Sequence, residues 1–159
     1  MNQRRRKQDG LTVVEFSLVA SVFLLILFAV IEVGIFVFQL QSLNDISRRA
    51  ARIAAVCVVN DPDIKTLALS ENTPIGFTGE NIEIVYLKDD GSVVGDPIAQ
   101  HSAIHYVRSK IINYNYGFSG ILNFLGNNGL VPVPDFQTIL PAESLGVLKV
   151  NDPNAKTDC

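Results

Sequence analysis

The sequence predicts an α+β protein in which one long N-terminal helix crosses a membrane, continues beyond it, and packs against a small antiparallel β-sheet. Three observations predict this. Leu11 to Phe38 is a 28-residue, largely apolar run in which only Glu15 and Glu32 are charged. Apolar residues then recur at helical spacing as far as Cys57, and beyond Pro62 the text breaks into short alternating segments separated by Gly, Pro, Asn and Asp. The chain has 159 residues, 48% hydrophobic and 18% charged, with a formal charge of −3. That balance excludes a disordered chain, which needs few apolar residues and much charge. It also lacks the excess of cations that neutralises phosphates, so nucleic acid is not an expected partner.

The elements follow in order: a leader over 1–10, a transmembrane helix over 11–38, a helical extension over 39–57 and an external α+β domain over 58–159. Arg4, Arg5, Arg6 and Lys7 make the leader basic. A helix rises 1.5 Å per residue, so about 20 apolar residues cross a hydrocarbon core of roughly 30 Å. Phe16 to Ile31 alone supplies sixteen uncharged positions, and the run reaches Phe38 if Glu32 is accommodated. Retention of Arg and Lys on the cytoplasmic side places the N-terminus inside and the rest outside. A secretory signal would have a shorter apolar core and a small-residue cleavage site.

Glu15 asks for more than an anchor, because a carboxylate among lipid tails is costly and usually functional. The bland account is a side chain that reaches back to the nearby interface. A cut after Gly10 offers another. Leu11 would become the first residue, with a free α-amine, and Glu15 would stand four residues on, on one helix face with it. The pair of charges lowers the penalty of holding either one in lipid, and an acid in the first turn suits the helix dipole.

These features carry a resemblance. A basic leader, a glycine, four residues, a glutamate and an apolar helix resemble the class III signal of type IV-like pilins. The text Gly10-Leu11-Thr12-Val13-Val14-Glu15-Phe16-Ser17-Leu18-Val19 resembles the TadE-like minor pseudopilins of the tight-adherence (Flp-type) pilus system. Ile31-Glu32-Val33-Gly34 is similar to a second block of that helix, and Arg48-Arg49-Ala50-Ala51-Arg52 to its Ala/Arg-rich end. Many members carry proline six residues after the glutamate; Ser21 stands there in this chain and imposes no kink.

The resemblance implies a pilin-like fold, cleavage between Gly10 and Leu11 by a prepilin peptidase, and helix pairing in an assembly through Glu15, Phe16, Glu32 and Gly34. It implies as partners a major Flp-type pilin, other minor pseudopilins, a pilus assembly platform and the lipid bilayer. The expected location is the bacterial inner membrane, with the C-terminal domain periplasmic or extracellular, or carried into the pilus. Loss of residues 1–10 would move the formal charge from −3 to −6, because four basic residues and Asp9 leave. The alternative is an unprocessed single-pass adaptor or binding domain.

Past the membrane, Leu43, Ile46, Ala50, Ile53 and Cys57 form a seam at spacings of 3 and 4, and Asp45 can pair with Arg49 at i,i+4. The seam either seats the chain's own domain or meets a neighbouring helix. The helix from Leu11 to Cys57 would be on the order of 70 Å long. Asn60-Asp61-Pro62 ends it, and Asp61 as cap with Pro62 opens a short helix reaching about Leu69. Asn81 to Lys88 alternates as a strand, Asp89-Asp90-Gly91-Ser92 turns it to Val93-Val94, and Ala103 to Tyr116 reads as an irregular strand. Ile121 to Leu125 reads as a short amphipathic helix, and Phe136 to Leu140 as a last strand.

Cys57 and Cys159 are the two cysteines, and an even count outside the membrane favours a disulfide over two free thiols. His101 and His105 are four apart but lack a third ligand at metal spacing. Asp89-Asp90-Gly91-Ser92 lacks the ligand order of a calcium loop. Gly117-Phe118-Ser119-Gly120 is not a nucleophile elbow. Tyr106, Tyr114 and Tyr116 read as cross-strand aromatics rather than a ligand stack. No catalytic set emerges, so neither an enzyme nor a cofactor or metal is expected.

Overall fold

A computed structural model describes residues 3–118, 120–147 and 159, with side chains described from Thr12 onward. The chain divides into two compact units, Met1–Val37 with Tyr116–Val131, and Phe38–Asn115 with Pro132–Cys159. Helix α1 (Gln3–Val56) runs through both without interruption. It starts inside the expected leader rather than at Leu11, because Arg, Lys and Gln are good helix formers and nothing before Leu11 stops the helix from propagating. At Ser21, where a proline would kink the helix, the hydroxyl instead donates to the Ser17 carbonyl at 2.7 Å.

In the second unit, β1 (Ile82–Leu87), β2 (Tyr106–Ile111) and β5 (Gln137–Pro141) form an antiparallel sheet in the order β1-β2-β5. The register opposes Ile82 to Ile111, Ile84 to Ser109 and Tyr86 to Val107, then Val107 to Leu140 and Ser109 to Thr138. Since side chains alternate across a strand, these residues share the face that meets α1. The helix answers with Leu43, Ile46, Ala50 and Ala54, all fully buried. The seam therefore seats the chain's own domain. Small residues make the approach possible: Ser47 on α1 is buried over Ser109 on β2, and its hydroxyl donates to Thr138 Oγ1 at 3.2 Å. On the opposite face Glu83 stands directly across from Lys110, a favourable pair of charges on a solvated surface.

Several elements differ from the sequence reading. Ala103–Tyr116 is not one strand. His101–Ala103 is a 3-10 turn, β2 covers only Tyr106–Ile111, and Asn113 adopts a positive φ of 53° before β3 (Asn115–Gly117) pairs with β4 (Leu130–Pro132). Asn tolerates that left-handed conformation better than most residues, so the chain changes sheets there. Ile121–Leu125 forms turns instead of a helix, since Gly126, Asn128 and Gly129 all take positive φ just beyond it. A Cβ on Gly126 would collide with the Leu130 carbonyl. The last strand lies one residue later than expected, and Val93 makes a single bridge to Leu87.

The short helix α2 (Asp63–Ala68) follows the break after α1. Asp61 holds its start, accepting the Asp63 N–H at 2.9 Å through one carboxylate oxygen and the Cys159 N–H at 3.1 Å through the other. Cys57 and Cys159 are joined by a disulfide across 102 residues, with their Cα atoms 5.5 Å apart. Closing a loop of that length restricts the unfolded chain by on the order of 4 to 5 kcal/mol. Cys159→Ser should therefore lower the urea midpoint of this unit, followed by near-UV circular dichroism of its tyrosines; an unchanged midpoint would show that the bridge does not stabilise it.

Tyr86, 2% exposed, accepts the Asn60 N–H at 3.1 Å, and burial, reinforced by the Asp61 carboxylate, pushes its phenol above the ordinary value of 10.0. The folded state thus holds the proton more tightly than the unfolded one. The stability carried by the neutral phenol is intact below the unfolded value and is lost as pH rises through the folded one. Alkaline titration at 295 nm should show a late-ionising tyrosine that Tyr86→Phe removes, and the wild-type unfolding midpoint should fall above about pH 10.

Candidate functional site

The first unit contains the features that assembly through the helix would use. Its part of α1 from Thr12 is apolar yet exposed: Phe16 is 74% exposed, and Val13, Leu18, Phe23 and Val30 are each more than half exposed. Among the described residues this is the one helix long and apolar enough to cross a membrane. Such a surface is unfavourable in water over so many residues and calls for lipid or other helices.

Glu15 lies on this exposed surface with no hydrogen-bond partner among the described residues. Gly10 and Leu11 fall within the helical span, and the Leu11 side chain lies outside the described residues. Gly34 is open to solvent, with nothing within 4 Å of the place where a Cβ would stand. Phe16 and Gly34 are eighteen residues apart, about five turns, so they occupy one line along the helix. Glu32 lies about 160° around the helix from that line.

Glu32 has a partner that the sequence did not reveal. Its carboxylate accepts the Gly120 N–H at 2.8 Å and the Leu122 N–H at 2.9 Å. The donors belong to the loop between β3 and β4. Successive backbone N–H groups in a turn make an anion-binding concavity, and charge-assisted bonds of this length are the strong ones. Four residues on, Phe36 packs against Tyr116 and Phe118, with ring centroids 5.0 and 5.3 Å away, and Tyr116 and Phe118 meet edge-on at 5.0 Å. Phe118 N–H donates to the Gly129 carbonyl at 2.8 Å and so closes the loop. Burial, with a smaller contribution from the Glu32 carboxylate, raises the Tyr116 phenol above its ordinary value. The carboxylate read as a helix-pairing group is thus occupied within the chain, while the Phe16–Gly34 line remains open.

Gly120 explains why the loop can approach so closely. An added Cβ would stand 3.0 Å from both Glu32 carboxylate oxygens.

The second unit carries a cleft of about 500 Å³ lined by Asp45, Arg48, Arg49, Arg52, Thr138 and Leu140. Asp45 pairs with Arg49 at 3.1 Å, as the i,i+4 spacing implies. Arg48 and Arg52 supply two further cations beside the open edge of β5, a setting whose chemistry suits a carboxylate or a phosphate. Among the described residues no three His, Cys, Asp or Glu converge as metal ligands would, and His101 meets the Leu145 carbonyl at 3.4 Å. The Asp89-Asp90-Gly91-Ser92 segment is a turn in which Asp90 accepts from the Ser92 N–H and hydroxyl at 2.9 and 2.7 Å.

Comparison with known families agrees with the helix geometry. Residues 10–52 match the sequence profile of the family described as TadE-like protein, consistent with a TadE-like protein of the tight-adherence pilus system. The match begins at the glycine before the apolar run, contains Glu15 and both parts of the Ile31–Gly34 block, and stops four residues before α1 ends. No curated protein and no solved structure matches the chain.

Removing the Glu32 carboxylate should release the loop. A net contribution of about 1.5–3 kcal/mol from hydrogen bonds to a charged group predicts at least about tenfold faster amide exchange at Gly120 and Leu122 in Glu32→Ala. Glu32→Gln, which keeps one acceptor oxygen, should fall between, and Gly120→Ala should resemble Glu32→Ala. Exchange rates unchanged by all three would show that these bonds do not hold the loop.

Proposed function

We propose that this protein is a minor pseudopilin that takes part in assembling a tight-adherence (Flp-type) pilus. Its helix anchors it in the bacterial inner membrane with the N-terminus cytoplasmic and the 58–159 domain periplasmic or extracellular. A prepilin peptidase cuts between Gly10 and Leu11. The new α-amine and Glu15 then neutralise one another, within one helix or between neighbours, so that the helix can leave lipid for a bundle with the major pilin and other pseudopilins. On the Phe16–Gly34 line the bundle meets an open glycine, where a second helix can approach closely. The protein acts by assembly rather than catalysis.

One observation carries this reading: the TadE-like match takes in the exposed apolar part of α1, in which Glu15 stands five residues after Gly10. A membrane carboxylate at a set distance from a would-be chain start has a use in processing and docking that a permanent anchor does not need.

N-terminal sequencing of the protein purified from membranes tests it. Leu11 as first residue is the expected result, whereas intact Met1 in a functional protein would leave only a tethered adaptor. Glu15→Ala should insert normally yet lose most of its co-purification with the pilus assembly machinery. Undiminished co-purification and piliation would remove Glu15 from the mechanism.

A further inference from the structure

The loop between β3 and β4 has a composition unlike the rest of the domain. From Ile111 to Pro134 there are 24 consecutive residues without a charge, and the flanking Lys110 and Asp135 pair with each other at 2.8 Å. The tip is apolar and open: Phe124 is 75% exposed, with Ile121, Leu125 and Leu130 exposed beside it. The only polar side chains between them are asparagines, so the tip carries no charge with which to repel or select a charged protein surface.

Its position along α1 is set by Glu32. Twenty residues from Thr12 to Ile31 rise about 30 Å, the thickness of a hydrocarbon core. The carboxylate that grips Gly120 and Leu122 is the next residue. A loop fastened there lies at the level where acyl chains give way to headgroups. Tyr116, packed on Phe36 one turn further along, belongs to a residue type that gathers at this level.

We propose that the 116–131 loop is a membrane-interface element, inserting Phe124, Ile121 and Leu125 into the headgroup–acyl boundary of the same bilayer that α1 crosses. This rests on the membrane-spanning reading of α1. The loop serves two ends in this arrangement. It supplies Glu32 with donors where water runs out, and it adds a second apolar contact that sets how deeply and at what rotation the helix sits. Withdrawal of the helix into an assembly would have to lift this contact out of the lipid.

Variants with one added cysteine, fluorescently labelled there with the native disulfide kept oxidised, test the proposal in phosphatidylcholine–phosphatidylglycerol vesicles at high lipid-to-protein ratio. The labels go at Phe124→Cys, at Leu24→Cys inside the apolar run, and at Ser92→Cys on the turn of the second unit. Spin-labelled lipids quench from the headgroup level or from deep in the chains, and iodide quenches from water. The label at position 124 should fall to roughly half its intensity with the shallow quencher, as for a group about 5–10 Å into the interface. That at 24 should respond to the deep quencher, and that at 92 to iodide alone. A label at 24 quenched from lipid with one at 124 quenched only by iodide would overturn the interface contact and leave the spanning helix standing. A label at 124 shielded from both lipid and iodide would mean that a second copy covers the tip, which also overturns it. No lipid quenching at 24 would remove the spanning helix, and this proposal with it. Leu125→Cys repeats the measurement at a second position of the tip.

Discussion

A carboxylate placed in an apolar helix has to be solvated by something, and at Glu32 that role falls to the protein itself. Two backbone N–H groups at 2.8 and 2.9 Å bind this half-buried carboxylate with charge-assisted hydrogen bonds. The consequence reaches well beyond one residue. To present Gly120 and Leu122 at that spot, the chain leaves the main sheet at Asn113, forms the β3–β4 hairpin and turns through Gly126, Asn128 and Gly129. The aromatic contacts of Tyr116 and Phe118 with Phe36 then hold the loop against the helix from a second side. An excursion that looks irregular in secondary structure thereby supplies the two donors that hold Glu32.

Helix α1 meets different demands along its length. From Thr12 to beyond Val30 its side chains are large, apolar and exposed on every side, which is the surface of a helix meant for lipid or for other helices. From Leu43 onward the helix buries Leu43, Ile46, Ser47, Ala50 and Ala54 in the fold of the second unit, and its arginines line a cleft beside Thr138 and Leu140. The second unit has its own hydrophobic core and its own covalent staple, so its stability does not draw on the apolar run.

Much of this could be read from the sequence because the signals are local. The apolar run, the i,i+3/i+4 seam, the alternating strand at Ile82–Leu87 and the Asp90-Gly91 turn each follow from the periodicity or conformational preference of neighbouring residues. The Cys57–Cys159 pairing followed from counting, since two cysteines allow one bridge. The readings that fared worst involve the segment from Ala103 to Leu125. Its β-branched and aromatic residues favour a strand and its apolar spacing a helix, but the left-handed residues at 113, 126, 128 and 129 and the pull of a distant carboxylate overrode both. The 24-residue gap in charge from Ile111 to Pro134 was a visible signal that this segment differs. Without the fold it said nothing of what the segment touches.

By itself the sequence determined that a membrane-length helix leads the chain, that Glu15 stands five residues after Gly10 within it, and that an α+β domain with one possible disulfide follows. Hydropathy, spacing and cysteine count are properties of residues taken a few at a time, so they survive without knowledge of the fold. Only the tertiary structure decided that Glu32 is held by its own chain, that the arginines of α1 line a cleft beside β5, and that Phe124 stands open at a loop tip. Gly120 is 88 residues from Glu32 in sequence. Contacts across such distances are set by how the sheet, the hairpin and the helix are arranged in space, and no local pattern records that arrangement.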